Sequence, residues 1–210
     1  MSTLMFPENA ELYRLSDPLG SRPLRLSDEN FSDWLTSEQA WALFRGQLRL
    51  TKPLRLGAYM GGHPSDFLWA GLSHVVCVSH RVVESLIEDA VTGWSIYNVE
   101  VFGRKGEPLP GYHGFSVIGP ECPLDRSRSQ IVTKPPPAPG GKSYQVYRGL
   151  YLDESQWDGS DFFVVRPFGG IVVTEKVYRL FKRAKVTNVR LTPLTEVELD
   201  VMLDQFEKSE

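Results

Sequence analysis

Two aspartates occupy matching positions in the chain and are the first candidates for chemistry. Asp66 and Asp161 lie 95 residues apart, and each follows a serine and precedes a phenylalanine. A pair of carboxylates can act as general acid and general base when their environments differ. An aspartate at a junction between a loop and a strand also commonly accepts hydrogen bonds from nearby amides. We therefore expect a structural cap at each position and keep acid–base catalysis as the alternative.

One histidine is a further candidate. His113 has Gly111 and Gly114 close by on either side, and glycines allow a ligand to approach the backbone closely. A histidine in an ordinary turn is the simpler interpretation. The four histidines show no HExxH pattern and no paired spacing with the cysteines, so the sequence predicts no metal site. They are His63, His74, His80 and His113.

The chain has only two cysteines, Cys77 and Cys122, which excludes a disulfide framework and predicts two reduced thiols. Cys77 lies three residues before His80, but a strand-to-helix junction separates them, so we expect a buried, inert cysteine. The segment 141–143, Gly-Lys-Ser, lacks the earlier glycine of a phosphate-binding loop. The sequence therefore predicts no catalytic residue and no cofactor-binding residue.

The candidate aspartates belong to two copies of one unit. Residues 65–99 match residues 160–194 at a constant offset of 95 without a gap. In each copy a short aromatic strand is followed by a β-branched run typical of a buried strand. Ser79 and Thr174 come next, and their hydroxyls are suited to accept from the first amides of a helix.

A helix and a further strand complete each copy. Gly93 and Asn188 follow the predicted helices, where a left-handed backbone is least costly for these residue types. Strands are predicted over residues 94–101 and 189–194. Apolar residues recur at three- and four-residue spacing, which gives each helix one core face. These residues are Val82, Val83, Leu86 and Ala90 in the first copy, and Val177, Leu180, Phe181 and Ala184 in the second.

The predicted fold class is α+β, with pseudo-duplicated strand-strand-helix-strand units, mixed sheets and an irregular N-terminal segment. That segment offers a strand around residues 12–15 and a helix over Ser37–Phe44. The polyproline run at 134–141 predicts an exposed loop. We expect one compact domain made of five segments. These are the N-terminal segment 1–55, the first repeat unit with its hairpin 56–120, a Pro/Gly-rich connector 121–150, the second repeat unit 151–196, and a C-terminal acidic helix 197–210 carrying Leu199, Met202, Leu203 and Phe206.

Composition and charge limit the classes of partner. The 210 residues are 41% hydrophobic and carry a net charge of −3, which gives no overall field that favours nucleic acid or an anionic membrane. The N-terminus lacks the basic and apolar regions of a signal peptide, and no apolar run is long enough to span a bilayer. We therefore expect a cytoplasmic protein.

The two copies differ sharply in charge. Residues 65–101 carry one basic and five acidic side chains, whereas residues 160–196 carry seven basic and three acidic ones. Charge runs on helices are usually solvated faces, and that is one interpretation. The other is docking of an acidic protein partner, since aromatic residues are not interleaved with the bases as nucleic-acid binding would favour. The candidate partner-binding residues are Lys176, Arg179, Lys182 and Arg183.

Several motifs resemble a bacterial immunity-protein family of polymorphic toxin systems, first described from a myxobacterial protein and long classed as a domain of unknown function. The run VVCVSHRVVESLIEDAVTGW at 75–94 carries most of the resemblance, with GYHG at 111–114 and WDGSDFF at 157–163. The segments IVVTEKV at 171–177 and VTNV at 186–189 complete it. The resemblance covers about residues 55 to 195, and its motifs are patterns of fold. It implies neutralisation of a cognate toxin by binding, and it supplies no catalytic residues.

Three functions stand as expectations. The first is a non-catalytic cytoplasmic immunity protein that binds a cognate toxin, with no cofactor and with its oligomeric state open. The second is a small-molecule enzyme with a pocket between the repeats that uses Asp66, Asp161 or His113. The third is a structural adaptor.

Overall fold

The computed structural model of the protein describes residues 11–27, 35–71, 74–166 and 169–201. Within these residues the fold is α+β, with three α-helices and strands arranged in mixed sheets. The helices are α1 (Ser37–Phe44), α2 (His80–Glu88) and α3 (Glu175–Arg183). The strands are β1 (Leu12–Ser16), β2 (Arg25–Ser27), β3 (Leu54–Met60), β4 (Phe67–Trp69), β5 (Val76–Ser79), β6 (Trp94–Tyr97), β7 (Val99–Phe102), β8 (Tyr112–Val117), β9 (Glu121–Pro123), β10 (Gln130–Lys134), β11 (Tyr144–Arg148), β12 (Phe162–Arg166), β13 (Gly170–Thr174), β14 (Arg190–Pro193) and β15 (Glu198–Asp200).

The duplicated unit is confirmed. The first copy runs β4, β5, α2, β6, and the second runs β12, β13, α3, β14. Both helices begin directly after Ser79 and Thr174, as predicted. The predicted side-chain caps are wrong, however, because neither hydroxyl bonds an amide of its helix. Each hydroxyl instead donates to the aspartate of its own copy, as described below.

Each copy is completed by a strand from elsewhere in the chain. β8 lies between β5 and β6, and β1 lies between β13 and β14. The registers match, since Ser79 pairs with Tyr112 as Thr174 pairs with Leu12. The completing strand therefore follows the first unit in sequence but precedes the second. The strand predicted near residues 12–15 is confirmed, and it is an inner strand of the second copy's sheet.

Two larger sheets contain the copies. The five-stranded sheet has the order β14-β1-β13-β12-β9, and the seven-stranded sheet has the order β6-β8-β5-β4-β2-β3-β7. β6 and β7 form the two ends of the seven-stranded sheet, yet only Asn98 separates them in sequence. The sheet must therefore curl until its two ends meet. The helix predicted over Ser37–Phe44 is confirmed with a Thr36–Gln39 capping box.

The segment 121–150 is more ordered than a connector. β10 and β11 form a hairpin, and the predicted proline-rich loop is its exposed tip, because residues 135–143 are all exposed. The predicted helix over 197–210 is wrong at its start, because β15 pairs with β11 there. Val197 and Leu199 are buried at two-residue spacing, which is the period of a strand. Residues 202–210, which carry the rest of that predicted helix, lie outside the described part of the chain.

One apolar core joins the two copies. In β5, Val76 and Val78 face this shared core while Cys77 faces a second cluster inside the curled sheet. In β13, Ile171 and Val173 face the shared core while Val172 faces a third cluster. The buried residues of α2 and α3 lie in the shared core as well. Both faces of these strands are thus buried, which explains their continuous β-branched sequences.

We expect the substitution Gly93→Ala to lower the free energy of unfolding by about 2 to 3 kcal/mol, because the backbone there is left-handed and crowded. Gly93 has a φ of +83°, and a Cβ would lie 2.1 Å from the carbonyl oxygen of Phe162 in the other copy. Urea denaturation followed by tryptophan fluorescence measures the loss.

The equivalent residue of the second copy supplies the matched control. Asn188 has a φ of +59°, and its side-chain amide donates to the carbonyl oxygen of Phe67 at 2.8 Å. Asn188→Gly removes that hydrogen bond but relieves the backbone, so we expect a loss of about 1 kcal/mol or less. Equal stability of Gly93→Ala and the wild type would contradict the close contact between the copies.

Candidate functional site

Asp66 links the first copy to the second. Its carboxylate accepts from the Ser79 hydroxyl at 2.9 Å and from the Arg81 guanidinium, both in its own copy. It also accepts from the backbone amide and the hydroxyl of Thr187, each at 2.8 Å, in the turn that follows α3. The Thr187 hydroxyl accepts in return from the Asp66 amide at 2.9 Å. We call this set of four residues the Asp66 clamp.

Asp161 makes the equivalent contacts and links the second copy to the first. Its carboxylate accepts from the Thr174 hydroxyl at 2.8 Å and from the Lys176 ammonium at 3.0 Å. It also accepts from the amide and hydroxyl of Thr92, which follows α2, at 3.0 and 3.3 Å. All four residues of this Asp161 clamp are offset by 95 from those of the Asp66 clamp. Such reciprocal contacts are the mark of twofold symmetry, here within one chain.

The clamps determine what the two aspartates can do. Burial by itself raises the pKa of Asp66, but the hydrogen bonds from Arg81, Thr187 and Ser79 outweigh it and hold that pKa below its usual value. Both residues are buried, with 7% of their surface exposed. The expected structural role is therefore the one the contacts support, although the amides that each aspartate binds belong to the other copy rather than to its own loop.

Arg81 and Lys176, the cations of the two clamps, also connect the two helices. Arg81, in the first turn of α2, donates to the carbonyl oxygen of Ala184 at the end of α3 at 2.7 Å. Lys176, in the first turn of α3, donates to the carbonyl oxygen of Ala90 beyond α2 at 2.8 Å. The beginning of each helix therefore lies beside the end of the other. Both carbonyls lie at the negative end of a helix dipole, where a cation is favourable.

The outer side of this helix pair is the candidate functional site, and we call it the two-helix face. It consists of the exposed residues Glu84, Ile87 and Glu88 of α2 and Arg179, Lys182 and Arg183 of α3.

Charges of opposite sign occupy equivalent positions of this face. Glu84 corresponds to Arg179, and Glu88 corresponds to Arg183, at the offset of 95. Between them Ile87, which corresponds to Lys182, leaves 65% of its surface exposed. The face thus has an acidic helix and a basic helix side by side.

The four predicted partner-binding residues have different surroundings. Lys176 belongs to the Asp161 clamp, so we expect its replacement to lower the stability of the fold. Arg183 forms an ion pair with Asp89 of the first copy at 2.7 Å. Arg179 pairs with Glu175 one turn earlier at 2.6 Å, yet its side chain is 73% exposed. The Lys182 ammonium lies 5.5 Å from the centre of the Tyr178 ring.

His113 lies beside the start of α2. Its Nε2 atom lies 3.1 Å from Nδ1 of His80, whose Nε2 lies 3.5 Å from a carboxylate oxygen of Glu84. Burial, and secondly the neighbouring His80, lowers the pKa of His113. Over the described ranges, no three His, Cys, Asp or Glu side chains come together as a metal site would require.

Both cysteines are free and buried, in separate clusters. Burial raises the pKa of Cys77 to about 12 and that of Cys122 to about 11. Because the thiolate is the reactive form, neither residue has the environment of a nucleophile at neutral pH.

Within the described part of the chain, three of the clefts have volumes of about 610, 590 and 490 Å³. Arg22, His63 and Arg104 help to line the first, and Asp125 and Asp153 help to line the second. The third lies between β6 and the segment that follows α1. None of these three clefts is lined by Asp66, Asp161 or His113, so they give no support to an enzyme pocket built on those residues.

The sequence interpretation missed two residues of the clamps. Thr92 and Thr187 correspond at the repeat offset of 95, yet neither is among the residues for which the sequence predicts a role. The recurrence of a threonine at the same distance from both aspartates was the available signal. Which aspartate each threonine binds is a long-range contact that the repeat alone does not specify.

Comparison with known proteins gave no match to any family model and none to any curated protein. In the part of the chain that the structure describes, no helix combines the length and the apolar composition needed to cross a bilayer.

Proposed function

We propose that the protein is a non-catalytic immunity protein that binds and neutralises a cognate toxin domain in the bacterial cytoplasm, and that the two-helix face is its docking surface. The observation that carries this proposal is the pairing of an acidic and a basic helix on one exposed face. The resemblance of residues 55 to 195 to an immunity-protein family supports the choice of partner.

Different residues of the two-helix face have different roles in the proposed binding. Arg179 and Lys182 are exposed and lie outside both clamps, so they are available to attract an acidic surface. Ile87 is the exposed apolar residue of the face and supplies a site for dry contact. Exposed charges at an interface mainly set the association rate, whereas desolvated apolar contacts mainly hold the complex together.

We expect the double substitution Arg179→Glu and Lys182→Glu to slow association with the toxin domain about tenfold at low salt, because long-range attraction is reversed. The difference from the wild type should shrink as added salt shortens the Debye length below about 10 Å. Binding kinetics against the toxin domain encoded beside this gene, measured at several salt concentrations, test this expectation.

Lys105→Glu with Lys142→Glu is the matched control, since both residues are exposed outside the two-helix face and the net charge changes equally. This control should keep the wild-type association rate to within about a factor of two. Lys176 and Arg183 are left unchanged because Lys176 donates to the Ala90 carbonyl oxygen and Arg183 pairs with Asp89, and both contacts join the copies. An equal effect of both double variants would remove the two-helix face from the proposal, and absence of binding by the wild type would remove the immunity function for that toxin.

A further inference from the structure

β6 is hydrogen-bonded on one side only and forms a wall of the cleft of about 490 Å³. The opposite wall is the segment 46–53, which follows α1. At the far end of β6 the cleft closes, because the Leu54 amide donates to the carbonyl oxygen of Asn98 at 3.1 Å. We call this site the β6 cleft.

The free backbone groups of β6 face this cleft. Just before β6 begins, the Ile118 amide donates to the carbonyl oxygen of Gly93 at 2.9 Å, so Gly93 and Ile118 are a hydrogen-bonded pair of the ladder between β6 and β8. Because hydrogen-bonded and non-bonded pairs alternate in an antiparallel ladder, Ser95 and Tyr97 direct their backbone groups to β8. Ile96 therefore directs its N–H and C=O away from β8. Its side chain is 43% exposed.

Buried hydrogen bonds fix the positions of the two walls of the β6 cleft. The Arg45 guanidinium, just after α1, donates to the carbonyl oxygens of Val117 and Gly119 at the end of β8. The Ser116 hydroxyl donates to the carbonyl oxygen of Leu43 in α1 at 2.7 Å. α1 is thereby attached to β8, so the cleft exists before any ligand binds. A preformed site reduces the ordering cost of binding.

The side chains of the β6 cleft favour a negatively charged occupant. Arg49 and Lys52 line it together with the apolar residues Leu48 and Leu50, and none of the lining residues that the structure describes carries a carboxylate. Exposed sheet edges bind extended segments through backbone hydrogen bonds, and the neighbouring side chains set the specificity.

We propose that the β6 cleft binds an extended acidic segment of a partner protein, which adds to β6 as a further strand. The backbone of the segment pairs with Ile96, and its acidic side chains approach Arg49 and Lys52. This site is separate from the two-helix face, so it does not depend on the immunity function.

The probe is a short blocked peptide in which glutamate and valine alternate, and NMR hydrogen exchange of the full chain is the readout. We expect saturable binding and at least about tenfold slower exchange of the Ile96 amide, because that amide becomes hydrogen-bonded. The matching lysine–valine peptide should not bind, nor should an acidic peptide N-methylated on alternate residues. Binding of either comparison peptide with the same affinity would overturn the proposal.

Two substitutions test the residues themselves. Arg49→Glu should weaken binding of the acidic peptide about tenfold, whereas Arg104→Glu, an exposed control outside the β6 cleft, should leave it unchanged.

Ile96→Pro should abolish binding without unfolding, because it removes an amide that β8 does not use. Unchanged exchange of the Ile96 amide on peptide binding would overturn strand addition. If the chain dimerises with increasing concentration and Ile96→Pro abolishes that dimerisation, the occupant of the β6 edge is a second copy of this chain. That result would overturn the proposal of an acidic partner.

Discussion

Replacing Asp66 by alanine is expected to lower the free energy of unfolding by about 2 to 4 kcal/mol, and replacing Asp161 by alanine should cost a similar amount, because each carboxylate accepts several hydrogen bonds. Each substitution leaves a threonine amide of the other copy without its acceptor and a cation without its carboxylate. Each also releases the turn of the other copy, so the loss is not confined to one repeat. Urea denaturation of both variants measures these free energies.

Glu88→Ala is the control for the clamp variants, because Glu88 is an exposed acidic residue of the two-helix face. Its effect should stay within about 0.5 kcal/mol. The comparison also separates the two roles considered for the aspartates, since removing a catalytic carboxylate often leaves stability unchanged or raised. Wild-type stability in either clamp variant would therefore contradict the structural role.

Acid denaturation is a second readout of the Asp66 clamp. The pKa of Asp66 is lower in the folded chain than its usual value, so the charged form stabilises the fold. That stabilisation is complete above the unfolded pKa of about 3.9 and is lost as the pH falls through the lower folded pKa. Asp66→Asn should therefore lose less stability than the wild type over that acidic range.

The parts of the fold that sequence predicts well are those set by local patterns. Ser79 and Thr174 mark the helix starts because a polar residue there separates a β-branched run from a run with helical spacing. Gly93 and Asn188 adopt the left-handed backbone expected of their residue types. The gapless repeat also places Asp66 and Asp161 in equivalent positions, which the two clamps reproduce.

The parts that sequence did not predict depend on pairing between distant segments. β1 and β8 complete the two copies from opposite sides in chain order, and no local pattern selects their neighbours. The β10–β11 hairpin was missed because the prolines of its tip dominate the composition of that segment. β15 was missed because Leu199 fits a helical spacing with residues 202–206 as well as a strand spacing with Val197.

For charge, too, the sequence predicts the local property, the net charge of each copy, but not the long-range ion pairs. The opposite net charges of the two copies are visible in the sequence, and they lie on adjacent helices in the structure. The individual partners are not visible, because Lys176 and Arg183 bind Asp161 and Asp89 of distant segments. A candidate binding residue on a charged helix is therefore best selected after its ion pairs are known, which leaves Arg179 and Lys182.

The shared core gives the last prediction, which concerns cooperativity. Phe67 and Phe162 are equivalent residues with no exposed surface, and both lie in the core between the copies. Each Phe→Ala substitution should lower the free energy of unfolding by about 3 to 5 kcal/mol, because it removes a large buried ring and leaves a cavity. Ile131→Ala, at a strand position that is 58% exposed, should stay within about 0.5 kcal/mol.

The contact between the copies makes this prediction specific. The Phe67 ring lies 5.7 Å from the ring of Phe181 in α3, centre to centre, so a double-mutant cycle on this pair should give a coupling of about 0.5 to 1.5 kcal/mol. Because both copies bury residues in one core, the wild type and both single variants should unfold in one transition when fluorescence and circular dichroism are compared. Two separate transitions, one altered by Phe67→Ala and the other by Phe162→Ala, would show that each copy has a core of its own.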